Sequence, residues 1–292
     1  MCFGEVLTAM VTPFAKDGKI NYEKAQELAI HLLNNGSDGI VVGGTTGESP
    51  SLNKEETTVL YKEVKDAVGN RGFVIGGCGG NNTYAVAEQM KDLNKLGLDG
   101  YLTVVPYYSK PTQEGIYKHY EMLSGVSSAP IIVYNIPGRT GVNLCPDTLI
   151  RMAELTNIKA VKESTGNVDQ ISEMKLRLPS DFAIYSGDDF MTLPMVAMGC
   201  QGVISVASHI VGKEIKEMVL AVKANDMVKG RDLHYKLYPI FKGMFCTANP
   251  IPVKTALNLL GFDVGGFRLP LCEGESTHVD FLKNLLKQYG ML

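Results

Sequence analysis

Short apolar runs rich in Val, Ile, Leu and Ala recur along the chain at intervals of roughly 20 to 35 residues. Amphipathic segments of helical length separate most of them. In two of these, YEKAQELAIHLLNNG after Asn21 and NKEETTVLYKEVKDAVG after Leu52, apolar residues return every three or four positions before a glycine ends the pattern. This alternation is typical of βαβ units with a parallel sheet, and eight strands predict a (β/α)8 TIM barrel of the α/β class. The predicted strands are VLTAM from Val6, GIVVG from Gly39, FVIGG from Phe73, GYLTVV from Gly100, PIIVYN from Pro130, IKAVKE from Ile158, FAIYSG from Phe182 and GVISVA from Gly202.

An open doubly wound sheet is the competing architecture, but it usually has fewer strands, and its GxGxxG fingerprint is missing after the first predicted strand. After Ala207 the strand pattern ends and helical patterns follow in KEIKEMVLAVKAND, RDLHYKLYPIFKGM and HVDFLKNLLKQYG. This is more helix than the last barrel unit needs, and no low-complexity linker precedes it. We therefore expect residues 1–225 to form a barrel that carries the active site, and residues 226–292 to form a C-terminal helical extension packed on it.

Composition narrows the range of partners and compartments. With 292 residues, 45% hydrophobic residues, 20% charged residues and a net charge of −3, the chain is typical of a globular protein, and nucleic acid or an anionic membrane is not an expected partner. The chain has no basic N-terminal stretch and no apolar run near the ~18 residues of a membrane span. Six widely spaced cysteines without a CxxC pair predict reduced thiols, no disulfide and a cytoplasmic protein. They are Cys2, Cys78, Cys145, Cys200, Cys246 and Cys272.

Polar residues are concentrated where the predicted strands end. The segments GGTTGE, GGCGGN, VVPYYSKP, VYNIPGRTG, VKESTG and YSGDD follow strand bodies made almost entirely of Val, Ile, Leu and Ala. In barrels of this kind the loops after the strands carry function. We therefore expect the active site at this end.

Lys162 and Tyr134 are the leading candidates for chemistry, because each lies at the end of an apolar strand. A lysine with a pKa of about 10.4 is a poor nucleophile unless burial or a nearby cation lowers that pKa. Position alone leaves simple packing open for Tyr134 and a salt-bridged surface role open for Lys162. Thr45 and Thr46, flanked by glycines, offer hydroxyls and backbone N–H groups to a carboxylate, although an ordinary Gly-rich βα loop fits them equally well.

Metal chemistry has little support in the sequence. The five histidines show no HxxxH or HxH spacing, and no Cys/His/Asp cluster has the periodicity of metal ligands. Asp188 and Asp189 fit a helix cap or a substrate contact as readily as a cation site. We expect neither a metal nor another cofactor.

The motifs GGTTGE, YNIPGRTG and VKEST, at successive strand ends and in this order, resemble those of the pyruvate-dependent Schiff-base aldolase family of N-acetylneuraminate lyase and dihydrodipicolinate synthase. The resemblance runs from about Val6 to the C-terminal helices. The Thr pair, the tyrosine pair in PYYSKP and the arginine of GRTG are similar to the synthases of the family. The sialate lyases tend to have Ser-Thr in the first loop and no arginine after YNIP.

The resemblance implies a mechanism. Lys162 would form an imine with pyruvate, and the derived enamine would add to L-aspartate-4-semialdehyde, on the route to lysine and diaminopimelate. Tyr134 resembles the general acid/base of the family. A proton relay would join it through Thr45 to Tyr108.

The resemblance also implies binding roles. Thr45 and Thr46 would bind the carboxylate of pyruvate, and Arg139 would bind the carboxylate of the semialdehyde. The matches at Gly187 and Ile204 imply a backbone that faces the substrate.

An assembly and an altered effector site follow from the same resemblance. Because relatives supply the residue that matches Tyr108 from a neighbouring subunit, a homotetramer built as a dimer of dimers is expected. In lysine-inhibited relatives, the residues that match Lys54 and Ala85 are usually histidine and glutamate. We therefore expect weak or absent inhibition by lysine, even though Asn81 and Tyr107 of that site are retained.

Two alternatives remain at this point. One is another pyruvate-dependent aldolase of the family, acting on N-acetylneuraminate or a 2-keto-3-deoxy sugar. The other is a catalytically silent barrel that senses a keto acid, which the joint presence of Lys162, Tyr134, Thr45 and Tyr108 disfavours.

Overall fold

Eight short parallel strands close into a barrel, in chain order, in the computed structural model, which describes residues 3–292. Strand β1 pairs with β8, where Val6 lies beside Val203, so the sheet has no free edge. The predicted (β/α)8 barrel is confirmed, and every strand overlaps an apolar run that predicted it. The strands are β1 Val6–Ala9, β2 Gly39–Val42, β3 Phe73–Gly77, β4 Gly100–Val104, β5 Ile131–Asn135, β6 Ile158–Glu163, β7 Ala183–Ser186 and β8 Gly202–Ser205.

Helices surround the barrel and continue beyond it. The first two begin at side-chain caps: Asn21 accepts a hydrogen bond from the Lys24 N–H, and Asn53 forms a capping box with Glu56. The α-helices are α1 Tyr22–Asn34, α2 Lys54–Val68, α3 Thr83–Leu93, α4 Gln113–Val126, α5 Pro137–Thr140, α6 Pro146–Met152, α7 Val168–Arg177, α8 Thr192–Ala197, α9 Ser208–Lys223, α10 Met227–Gly243, α11 Ile251–Leu259 and α12 Ser276–Gln288.

Side chains alternate between the barrel interior and the layer under the helices. Leu7, Ile75 and Ile204 belong to an apolar cluster inside the barrel, whereas Val6 and Val203 belong to the larger cluster between strands and helices. This alternation follows from the two-residue period of a strand. Every second residue of a strand faces the barrel interior. A polar residue that follows this alternation at the end of a strand therefore lies at the mouth of the barrel.

The expected C-terminal helical extension is confirmed. Helices α10 and α11 both pack on α9, and α12 packs on α10 and α11. The sequence patterns predicted α10 and α12 but not α11, which starts beside Pro250 and carries Pro252 in its first turn. The division of the chain into 1–225 and 226–292 stays a prediction, although Asp226 does cap the start of α10.

The sequence predicted neither a membrane-spanning segment nor a disulfide. Among residues 3–292, no helix is both long enough and apolar enough to cross a membrane. Cys2 lies outside the described residues, and the other five cysteines, Cys78, Cys145, Cys200, Cys246 and Cys272, are free thiols.

Candidate active site

Lys162 and Tyr134 lie side by side at the mouth of the barrel. They are register partners on β6 and β5, and Lys162 extends the inward row that contains Ala160. Lys162 is 5% exposed and Tyr134 is 6% exposed. The Lys162 Nζ lies 4.4 Å from the centroid of the Tyr134 ring. The structure therefore brings the two leading candidates into contact.

The surroundings of Lys162 favour its neutral form. Burial lowers the pKa of its ammonium to about 8, and Arg139 adds to this lowering, whereas the charges of Asp188 and Asp189 oppose it. Within residues 3–292 the Lys162 amine donates no hydrogen bond and forms no ion pair. Its lone pair is therefore available for reaction in a useful fraction of molecules near neutral pH.

Tyr134 retains its phenolic proton. Burial raises its pKa well above the ordinary value, the charge of Asp188 raises it further, and Arg139 and Ser164 act in the opposite direction. A protonated phenol beside a neutral amine is a suitable donor to an oxygen that develops negative charge. The pair can thus supply a nucleophile and an acid at one place.

The loop after β2 follows a crowded path at the barrel mouth. Gly43 has φ +63°, and a Cβ at this position would lie 2.1 Å from the hydroxyl oxygen of Tyr61. A Cβ at Gly77, on β3, would lie 2.1 Å from the Gly43 carbonyl oxygen. Glycine is required at both positions because there is neither space nor, at Gly43, a suitable backbone conformation for a side chain. This packing determines where the following residues begin.

Thr45 and Thr46 present free donors in that loop. Among the described residues, neither backbone N–H has an acceptor within the protein. The Thr46 hydroxyl accepts a hydrogen bond from Asn249 Nδ2 at 2.9 Å, and Thr12 Oγ1 donates to the Gly47 carbonyl oxygen at 2.6 Å. Oriented N–H groups without partners are suited to bind a carboxylate.

A cavity of about 510 Å³ lies at this end of the barrel. Thr45, Tyr134 and Arg139 all line it, together with Tyr107 and Lys54. Arg139 lies on the short helix α5, and its Nη2 is 3.5 Å from the Asn249 carbonyl oxygen. A guanidinium in the same cavity as the Tyr134 side chain can bind an anionic group of a second reactant.

Tyr108 is not brought to this cavity within one chain. Its side chain is 88% exposed and its φ is +74°, while Tyr107 lines the cavity. Its backbone N–H donates to the Thr140 carbonyl oxygen at 3.3 Å, which fixes the loop beside α5. The exposed Tyr108 side chain therefore does not line the cavity that Thr45 of the same chain lines.

Gly187 and Ile204 lie at the ends of β7 and β8. The Gly187 N–H donates to the Glu163 carbonyl oxygen at 2.8 Å, and a Cβ at this glycine would lie 1.7 Å from Ser164 Oγ. Ile204 is fully buried in the interior cluster. Both positions adjoin the Lys162 end of the barrel.

The two adjacent aspartates have different roles. The Asp189 carboxylate accepts hydrogen bonds from Ser205 Oγ and from the N–H groups of Val206 and Ala207, so it holds the loop that connects β8 to α9. Burial raises the pKa of Asp188 to about 6, and the nearby Lys162 opposes this rise. Asp188 is thus an electrostatic neighbour of the reactive amine.

Asp188 and Asn249 are site residues whose roles the sequence analysis missed. The strand-end motif YSGDD signalled a polar group at Asp188 but not its effect on the lysine. Nothing in the sequence near Asn249 indicated a contact with Thr46. No group of three or more potential metal ligands occurs within residues 3–292.

Comparisons with known proteins show which family the chain is similar to. A family model described as the dihydrodipicolinate synthetase family matches residues 2–289. The 4-hydroxy-tetrahydrodipicolinate synthase of Desulforamulus reducens is 49% identical over 291 residues, which cover 99% of this chain and 98% of that protein.

Solved structures show the same similarity. A dihydrodipicolinate synthase from Cyanidioschyzon merolae, crystallised with lysine bound, matches with a TM-score of 0.97, 44% identity and 99% coverage of both chains. The chloride-inhibited enzyme from Acinetobacter baumannii, complexed with pyruvate, matches with a TM-score of 0.96 and 38% identity, covering 99% of this chain and 100% of that chain.

Proposed function

Because the chain belongs to the dihydrodipicolinate synthetase family and is a carbon–carbon bond-forming lyase of the class I aldolase type, we propose that it condenses pyruvate with L-aspartate-4-semialdehyde. The product would be 4-hydroxy-tetrahydrodipicolinate, in lysine and diaminopimelate biosynthesis. The observation that carries the proposal is the buried, unpaired Lys162 amine in contact with the Tyr134 ring.

The Lys162 amine acts as the covalent catalyst. Its nitrogen attacks the ketone carbon of pyruvate, water leaves, and an imine forms. Loss of a proton from the methyl group gives an enamine, whose carbon attacks the aldehyde of the semialdehyde and converts that oxygen to a hydroxyl. The amino group of the semialdehyde then attacks the imine carbon, closes the ring and releases Lys162. No metal or other cofactor takes part in these steps.

Tyr134 acts as the general acid/base in these steps. Its high pKa keeps the proton on the phenol until a developing alkoxide takes it. Thr45 relays the proton to Tyr108, which a neighbouring subunit supplies. Tyr108 is exposed within a single chain, which supports its contribution to the site of a neighbouring subunit. The same observation supports a homotetramer assembled as a dimer of dimers.

The substrates bind to opposite parts of the cavity. Thr45 and Thr46 bind the pyruvate carboxylate with their free N–H groups and hydroxyls, and Arg139 binds the carboxylate of the semialdehyde. The backbone at Gly187 and Ile204 faces the bound pyruvate. The pyruvate complex of the Acinetobacter baumannii relative supports pyruvate as the first reactant. We also propose a cytoplasmic location, since the free cysteines suit a reducing compartment.

Trapping of the imine tests the proposal. Incubation with pyruvate and borohydride should add one reduced pyruvate to each chain, detected by mass spectrometry and mapped to Lys162. Lys162→Ala should abolish the adduct, whereas Lys159→Ala, on the same strand, should retain it. Absence of an adduct in the unaltered protein would contradict the proposal and favour a binding protein without catalysis.

The acceptor is tested separately. Turnover of aspartate semialdehyde should exceed that of N-acetylneuraminate and of 2-keto-3-deoxy sugar acids. Arg139→Ala should raise the KM for the semialdehyde at least about tenfold, because a charged hydrogen bond is lost, and should leave pyruvate trapping intact. Unchanged semialdehyde turnover in this variant would instead favour another aldolase of the family.

A further inference from the structure

A second buried lysine, Lys254, lies far from Lys162 in sequence and belongs to α11 of the C-terminal extension. It is 0% exposed, and its ammonium donates hydrogen bonds to Glu48 Oε1 at 2.9 Å, to the Thr12 carbonyl oxygen at 3.0 Å and to the Gly266 carbonyl oxygen. The three protons of the ammonium therefore all have acceptors.

Aromatic rings complete the surroundings of Lys254. Its Nζ lies 4.4 Å from the centroid of the Phe14 ring and 5.0 Å from that of Phe267. Two cation–π contacts on a desolvated ammonium add to the hydrogen bonds. The position of the Lys254 side chain is thus fixed from every side.

Glu48, the anionic partner, ends the loop that carries Thr45 and Thr46. Its φ is +55°, in the left-handed region that few non-glycine residues adopt. Its Oε1 accepts from Lys254, and its Oε2 accepts from the Arg268 N–H at 3.2 Å. The carboxylate therefore holds a strained turn three residues after Thr45.

Stability alone does not explain this pair. A buried ion pair is often no more stabilising than well-packed apolar side chains, whereas it fixes one geometry. The pair joins the C-terminal extension to the loop after β2, and Asn249, close to α11, hydrogen-bonds to Thr46 in the same loop. The extension therefore contacts the loop at two points, at the Thr46 side chain and at Glu48, two residues later.

We propose that Glu48 and Lys254 are positioning residues, which hold the loop at residues 43–48 so that the N–H groups of Thr45 and Thr46 meet the carboxylate of a keto acid. This inference rests on the proposed function of the loop. It assigns a role in pyruvate affinity to the C-terminal extension, which contributes no catalytic residue to the proposed mechanism.

The dependence of borohydride trapping on pyruvate concentration tests the inference. Lys254→Met should raise the half-saturating pyruvate concentration at least about tenfold, because small displacements of aligned groups are costly, while the adduct still forms at saturation. Glu48→Gln, which keeps an acceptor for Lys254, should give a smaller rise. The double variant Glu48→Gln/Lys254→Met leaves no unpaired charge, so it provides a folded protein if Lys254→Met alone does not.

A matched control separates positioning from stability. Lys216 pairs with Glu5 and Asp38, at 2.5 Å each, near the opposite end of the barrel, so Lys216→Met should lower the Tm without changing the half-saturating pyruvate concentration. If the double variant regains both stability and pyruvate affinity, or if Lys254→Met leaves pyruvate affinity unchanged, the inference is wrong. If the unaltered protein forms no adduct, the proposed function fails instead.

Discussion

Lys162 and Lys254 are two buried lysines in opposite environments. Among the described residues, Lys162 has no hydrogen-bond acceptor and touches one aromatic ring. Lys254 donates to three oxygens and lies near two rings. Burial lowers the pKa of both, to about 8 for Lys162. A lowered pKa therefore does not by itself identify a nucleophile, and the absence of partners does.

The difference also separates two uses of a buried charge. An unpartnered ammonium costs folding free energy, and it persists where chemistry benefits from an amine that is easily deprotonated. A fully partnered ammonium offers no free electron pair, and it orders the segments that surround it. The first environment is expected at an active site, and the second beneath one.

Exchange of each lysine for methionine should have the largest effects and should separate these uses most clearly. Lys162→Met should reduce turnover at least about 10³-fold, because no other group replaces the covalent catalyst, without loss of stability. Lys254→Met should lower the free energy of unfolding by about 3–5 kcal/mol, because Glu48 stays buried without its partner. Urea denaturation and steady-state kinetics measure the two effects.

The double variant Glu48→Gln/Lys254→Met is the control for that comparison, and it should regain most of the lost stability. A Lys162→Met variant that is destabilised as strongly as Lys254→Met would contradict the proposed difference between the two sites.

An effect of intermediate size is expected on the pH dependence of imine formation when Asp188 is replaced. Only the unprotonated amine attacks, so imine formation should accelerate as pH rises and level off above about 8, the pKa of Lys162. Asp188 is ionised above about pH 6 and its charge raises the pKa of Lys162. Asp188→Asn should therefore move the rise toward lower pH, by on the order of one pH unit.

Rates of borohydride trapping between pH 5 and 9 measure this shift. A shift toward higher pH, or none, would show that Asp188 does not act on the Lys162 amine.

The smallest effect on turnover is expected when free lysine is added to the enzyme, because of a third lysine residue, Lys54. Lys54 lines the cavity that Thr45, Tyr134 and Arg139 line, but it is exposed and pairs with Asp92 at 2.6 Å. Together with Ala85 it replaces the residues expected in lysine-inhibited relatives. We expect millimolar lysine to leave the turnover rate within about twofold of its value without lysine, since Ala85 offers no carboxylate to pair with the ammonium of the inhibitor.

Initial rates with increasing lysine test this expectation, with D-lysine as a control for ionic strength. Strong inhibition by L-lysine would contradict it.

The strands, and the position of Lys162 and Tyr134 at strand ends, were predictable because they depend on the local sequence. A buried parallel strand is almost continuously apolar, so each run marked its strand, and the last residues of β5 and β6 marked Tyr134 and Lys162. Two prolines at the start of α11 obscured its helical pattern.

Contacts between residues distant in sequence were not predictable. Glu48 and Lys254 meet only because the extension returns to the barrel mouth, and neither residue type signals that contact. The different roles of Asp188 and Asp189 likewise depend on which of them meets the loop after β8. Tyr108 lies outside the cavity of its own chain and has a backbone conformation that tyrosine rarely adopts.

The crowded glycines at Gly43 and Gly77 have a consequence for how such an enzyme acquires new acceptors. Substitutions there collide with Tyr61 or with backbone, so these two positions of the cavity lining tolerate little change in evolution or in protein engineering. Gly138, beside Arg139 on α5, has open space around the position of a Cβ. Libraries that aim to change the aldehyde partner should diversify Gly138 and leave Gly43 and Gly77 unchanged.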